Sequence, residues 1–93
     1  MDAPVFFVYI VECADNTLYT GSTNNLTKRI REHNAAKAGA RYTRGRRPVR
    51  LAYAEAAATL SDALAREAQI KKLSRTQKLL LIQASSGSSP RET

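Results

Sequence analysis

Phe6-Phe7-Val8-Tyr9-Ile10-Val11-Glu12-Cys13-Ala14-Asp15-Asn16-Thr17-Leu18-Tyr19-Thr20-Gly21 is the stretch on which the fold turns. With Val5 before it, its first half forms an almost unbroken apolar run from Val5 to Val11, too short to span a membrane and rich in β-branched and aromatic residues. Such a run predicts a strand buried on both faces. Ala14-Asp15-Asn16-Thr17 has turn chemistry, because Asp and Asn side chains bond back to the local backbone and tolerate unusual dihedrals. Leu18-Tyr19-Thr20-Gly21 then returns as a second strand. A hairpin closing around Asp15 and Asn16 sets Tyr9 opposite Tyr19, within about a residue of register. Two phenols and a glycine in a central hairpin make an unusual core and a reasonable active site.

The chain has 93 residues, the size of one domain with a modest core, and a formal net charge of +7. The charge is concentrated. Met1 to Thr27 carries no Lys or Arg, whereas Lys28 to Arg50 holds nine against the single acid Glu32. A second basic group comprises Arg66, Lys71, Lys72, Arg75 and Lys78. Two such patches are the footprint of phosphate binding, against the plainer reading of a basic surface that keeps the protein soluble. Cys13 is the only cysteine, which excludes a disulfide framework or a cysteine metal cluster. It reads as a small apolar filler at a strand end. No apolar run reaches membrane length, and Asp2 stands where a signal peptide would carry positive charge, so a cytoplasmic setting is expected.

Beyond the hairpin, Ser22-Thr23-Asn24-Asn25 offers N-caps for a helix from Leu26 to about Ala36, with Leu26 and Ile30 as its apolar stripe. Arg29 and His33, one turn apart, border that stripe and emerge at the edge of the core. Gly39 to Pro48 is a loop in which Arg41, Arg44, Arg46 and Arg47 surround Tyr42, suited to a phosphate backbone with a base stacked on the ring. It reads equally as a connector with incidental charge. Val49 to Glu55 alternates Val49, Leu51, Tyr53 against Arg50, Ala52, Ala54, the pattern of an edge strand.

Thr59 or Ser61 can cap a second helix, Asp62 to Leu73. Leu60, Ala63, Leu64 and Ile70 share one arc of it, with Glu67 among them. A carboxylate in an apolar arc requires a cation or a partner. A bound metal ion and an i,i+4 bridge to Lys71 both satisfy that requirement. Ser74 caps a third helix, Arg75 to about Gln83, and a low-complexity tail follows from Ser85. The order β-β-α-β-α-α gives an α+β fold, a small three-stranded sheet packed with helices. Residues 1–84 form the folded unit and 85–93 a disordered tail.

With Tyr9 in Phe7-Val8-Tyr9 and Tyr19 in Tyr19-Thr20-Gly21, the hairpin resembles the paired signature of the GIY-YIG nucleases, with Phe7 where the leading glycine stands. The resemblance extends from Pro4 to Ile82 and is closest to small stand-alone bacterial members. It implies that Arg29 is the helix arginine and Glu67 the ligand of one Mg²⁺ or Mn²⁺. It further implies that Tyr9 serves or orients the general base and Tyr19 positions water or phosphate. His33 either shares the proton transfer or only caps the helix face. The implied activity is metal-dependent endonucleolytic hydrolysis of nucleic acid, DNA before RNA, with a place in repair or processing. Lys28, Arg41, Tyr42, Arg44, Arg46, Arg47, Lys71 and Lys72 are the expected nucleic-acid contacts. No separate DNA-reading module is visible, so cleavage is expected to be structure-selective or nonspecific, by a monomer that needs no membrane. The alternative is a binding module that keeps this fold without turnover.

Overall fold

The computed structural model describes residues 6–35 and 45–87. Its elements follow the expected order: β1 (Phe6–Glu12), β2 (Leu18–Thr23), α1 (Leu26–Asn34), β3 (Arg50–Ala57), α2 (Leu60–Lys71) and α3 (Arg75–Gly87). The strands form one antiparallel sheet in the order β2-β1-β3. β1 is therefore central, and Val8, Tyr9, Ile10 and Val11 are each at most 1% exposed. The unbroken apolar run is the signature of that position.

The pleat of β1 divides the core in two. Val8 and Ile10 pack with Ala63 and Ile70 of α2, supported by Leu73, Leu81 and Ile82 from the C-terminal end. Tyr9 and Val11 pack on the other face with Cys13 and Val49, against Leu26 and Ile30 of α1. α1 thus covers one face, and α2 with α3 the other.

Local chemistry sets the boundaries. In the β1–β2 turn, Asp15 Oδ1 accepts from Thr17 N at 3.1 Å and Thr17 Oγ1 at 2.6 Å, and Asn16 takes φ 69°. Asn25 caps α1 through Lys28 N at 3.0 Å, and Thr59 caps α2 through Asp62 N at 3.0 Å. At α3, Ser74 Oγ accepts from Gln77 N (3.1 Å) while Gln77 Oε1 accepts from Ser74 N (2.9 Å), a reciprocal capping box.

Four expectations change. The hairpin register pairs Tyr9 with Gly21 and Tyr19 with Val11, so the two phenols are diagonal neighbours rather than opposite. β3 is an edge strand, but its pairing passes from Ile10↔Tyr53 to Val11↔Leu51 with Ala52 skipped. That bulge breaks the alternation. Tyr53 packs on the α2 face while Val49 packs on the α1 face, and Leu51 is left 42% exposed. On α2, burial centres on Ala63 and Ile70, seven residues apart and nearly eclipsed. Leu60 and Leu64 are each 51% exposed, and Glu67 lies at the border of the buried arc. Finally, α3 continues to Gly87, beyond the end expected at Gln83, so the first residues assigned to the tail are helical. Residues 88–93, and Arg41, Tyr42 and Arg44 of the basic loop, lie outside the described residues.

Candidate active site

The site grows from β1. Tyr9 points to the α1 face beneath Gly21, where a Cβ would lie 2.6 Å from the Tyr9 hydroxyl oxygen and 3.3 Å from Cε2 of Tyr19. The glycine is required by space: the Tyr9 phenol occupies the volume that a side chain at position 21 would need. Here the signature glycine of the hairpin has its physical reason.

α1 supplies the polar partners. His33 is fully buried, with Nε2 2.8 Å from the Tyr9 hydroxyl. Its ring meets Tyr9 and Tyr19 edge-on, with centroids 5.8 and 5.3 Å away. Instead of standing at the rim with Arg29, His33 is enclosed behind both phenols. Arg29 is about a quarter exposed and bonds Glu32 Oε1 at 3.1 Å. Its charge also acts on the nearby Tyr9 phenol.

These neighbours govern protonation. Burial pushes the Tyr9 phenol above its ordinary value, and Arg29 reverses this only in part; the charges of Tyr19 and Glu67 push the same way as burial. His33 is held below the ordinary imidazole value, first by burial and then by the Arg29 charge, with Glu32 opposing. At neutral pH, then, the imidazole is neutral and the phenol protonated, so the phenol can donate to Nε2 and keep its lone pairs for Arg29 or water. Burial works to lower Arg29, but the neighbouring Tyr9 and the ion pair with Glu32 outweigh it, and the guanidinium stays charged.

Glu67 arrives from the opposite helix layer and meets the edge strand β2 at Ser22, next to Gly21. Ser22 Oγ donates to Glu67 Oε1 at 2.7 Å, and Lys71 Nζ lies 2.8 Å from Oε2. The bridge weighed from the sequence is formed. The acid also adds its charge to those acting on Tyr9, and Lys71 senses Tyr19. Tyr9, Tyr19, Arg29 and His33 are thus in direct contact or one contact removed, with Glu67 beside them through its field and through Ser22. Among the described residues, no group of three or more His, Cys, Asp and Glu could hold a metal ion. One carboxylate and its neighbouring hydroxyl suit a hard ion that keeps most of its water, as Mg²⁺ does.

The expected nucleic-acid contacts are less uniform. Lys28 and Lys72 are exposed. Arg46 pairs with Asp15 of the hairpin turn at 2.9 Å. Arg47 is half-buried, with Nε and Nη2 lacking a protein hydrogen-bond partner among the described residues. The sequence reading missed Ser22, seen only as a possible helix cap; its alternation with Leu18 and Thr20 on β2 was the available signal. It also missed Asn34, whose side chain bonds both Val49 O (3.0 Å) and Val49 N (2.7 Å) and moors β3 to the site helix.

Comparison with known proteins places the chain in a family. A family model described as the GIY-YIG catalytic domain matches residues 5–79. A UPF0213 protein of Desulfotalea psychrophila is 57% identical over 84 residues, 90% of this chain and 76% of that one. A UPF0213 protein of Syntrophus aciditrophicus is 59% identical over 76 residues, covering 82% and 87% of the two chains. The solution NMR structure of a UPF0213 protein from Bacillus halodurans superposes with a TM-score of 0.55 at 42% identity, over 85% of this chain and 83% of that one. By family model, sequence and fold together, the chain belongs to the GIY-YIG nuclease family, alongside the UPF0213 proteins.

Proposed function

We propose that this protein is a Mg²⁺- or Mn²⁺-dependent endonuclease that hydrolyses phosphodiester bonds in DNA, structure-selectively or without sequence preference. It would work as a cytoplasmic monomer in repair or processing, with residues 1–84 as the catalytic unit. The observation that carries this reading is the 2.8 Å contact between the Tyr9 hydroxyl and a fully buried His33, beside Arg29. A phenol held protonated is a poor base alone. Bonded to a neutral imidazole, it can take a proton from water on its oxygen as it passes its own to Nε2. Arg29 presents a fork of donors to the non-bridging phosphate oxygens as charge builds in the transition state. Tyr19 lines the same cluster and orients water or phosphate. Glu67 would hold the ion with Ser22 fixing its carboxylate; the bound ion supplies Lewis-acid stabilisation of the phosphate and leaving oxygen. The exposed Lys28 and Lys72 would steer the polyanion without reading bases.

One observation favours the binding-module alternative: both Glu67 oxygens already have partners, Ser22 and Lys71. A cleavage assay on single-stranded, duplex and branched DNA, with and without Mg²⁺ or Mn²⁺, separates the two readings. Metal-dependent cutting by the parent, suppressed about 10²-fold or more in Arg29→Ala and Glu67→Ala, is expected from the loss of transition-state stabilisation. Undiminished DNA binding by all three proteins with no cutting by the parent would assign the module instead.

A further inference from the structure

Lys71 is at once an expected phosphate contact and the bridge partner of Glu67. The two groups holding the acid differ in kind. Ser22 is half-buried on β2 and neutral, so its bond to Oε1 orients the carboxylate without discharging it. Lys71 neutralises the acid from Oε2, but half of its side chain is in solvent (51%), whereas Glu67 is only 16% exposed. A flexible, solvated ammonium can leave; a carboxylate fixed on α2 cannot. When Lys71 leaves, an oriented and largely enclosed anion remains, with Oε2 uncovered and the Ser22 bond intact.

We infer that Lys71 is the resident counter-cation of the Glu67 seat, and that its ammonium competes with a divalent ion for Oε2. This rests on the reading that Glu67 binds the ion. The competition has two parts. The ammonium occupies the one carboxylate oxygen that Ser22 does not hold, and its positive charge raises the cost of bringing a doubly charged ion nearby.

A purely structural bridge makes the opposite prediction. If Lys71 only supports α2, its loss costs a little stability and leaves metal binding unchanged or weaker. The test is a Mn²⁺ titration of the full chain, reading free Mn²⁺ by its EPR signal, with the parent, Lys71→Met, Lys71→Gln, Lys71→Arg and Glu67→Gln. Circular dichroism confirms that each is folded, and the two neutral variants guard against one failing to fold. Removing the charge should tighten Mn²⁺ binding roughly three- to fivefold, the upper part of the scale of one partly exposed ion pair. Lys71→Arg, which keeps the charge, should stay within about twofold of the parent on the same scale. Equal or weaker binding by the neutral variants, while Glu67→Gln loses the ion, overturns the inference and spares the metal site. Unchanged binding in Glu67→Gln overturns the metal reading itself.

Discussion

The two faces of one strand make different use of burial. On the α2–α3 face, Val8 and Ile10 meet Ala63 and Ile70, and the contact is apolar throughout. On the α1 face, Tyr9 and Val11 meet Cys13 and Val49, but Tyr9 also meets a fully buried imidazole. Both faces exclude water. Burial on one gives stability; on the other it holds a phenol protonated and an imidazole neutral. The polar face is tolerated because its buried groups bond one another.

The largest expected effect falls on the apolar face. Ile70→Ala removes a fully buried side chain between helix and sheet. It should cost about 2–5 kcal/mol in urea denaturation. Any cleavage activity should persist under conditions where the variant remains folded, because no side chain of the candidate site is removed, although Glu67 shares the helix. A loss of activity in fully folded Ile70→Ala would show that the two faces are not independent.

Gly21→Ala attacks the other face by overfilling it. The new Cβ would sit 2.6 Å from the Tyr9 oxygen and 2.8 Å from Cζ, and that ring is itself locked in the core. Overpacking of this kind costs about 1–3 kcal/mol. The ring can yield only by moving the hydroxyl from His33, so the tyrosine environment in near-ultraviolet circular dichroism should change along with stability. A variant that melts like the parent with an unaltered tyrosine signal would mean the close approach is not there.

The sequence shows the apolar face more plainly than the polar one. The run Val5 to Val11 announces a central strand, and the Asp15-Asn16 turn, the Asn25 and Thr59 caps and the Ser74-Gln77 box mark their boundaries by local chemistry. Nothing local reveals the bulge at Ala52, which reassigns Tyr53 to the opposite face, or the rotation of α2 that leaves Leu60 and Leu64 in solvent. Those follow from packing between elements. The candidate site is legible as residue types and less so as geometry. Arg29 and His33 look alike on the helical wheel, yet one is partly exposed and the other enclosed, because Tyr9 reaches across beneath Gly21. Ser22 acquires its role only when α2 brings Glu67 against the β2 edge, a contact spanning 45 residues.

Protonation sharpens the comparison further. His33 is held below the ordinary imidazole value by burial and by Arg29. As pH falls below about 6.5, the unfolded chain therefore binds a proton that the folded chain refuses, and stability drops. The contribution is complete above that ordinary value. It declines toward the folded one, at a limiting slope of about 1.4 kcal/mol per pH unit. His33→Gln keeps a polar partner for Tyr9 but cannot titrate, so the parent should lose more stability than the variant between neutral and mildly acidic pH. Denaturation curves at several pH values measure that difference. Parallel acid limbs would place the imidazole in contact with solvent.

The smallest effect tests the rule by its exception. Thr20 pairs with Ile10 on β2 and is 3% exposed, yet its Oγ1 has no protein hydrogen-bond partner among the described residues. It shares the apolar face with Ile10, whereas His33, the other buried polar side chain among the described residues, lies across the sheet and is bonded. A buried hydroxyl left unpaired carries its full desolvation cost, and a methyl of the same shape carries none. Thr20→Val should therefore be neutral or stabilise the fold by up to about 1 kcal/mol, visible as a small rise in Tm. Metal binding and cleavage should not change. Destabilisation of similar size would mean that the hydroxyl is bonded to a buried water, and the face under α2 would then carry a polar group that it has to satisfy, as the face under α1 does.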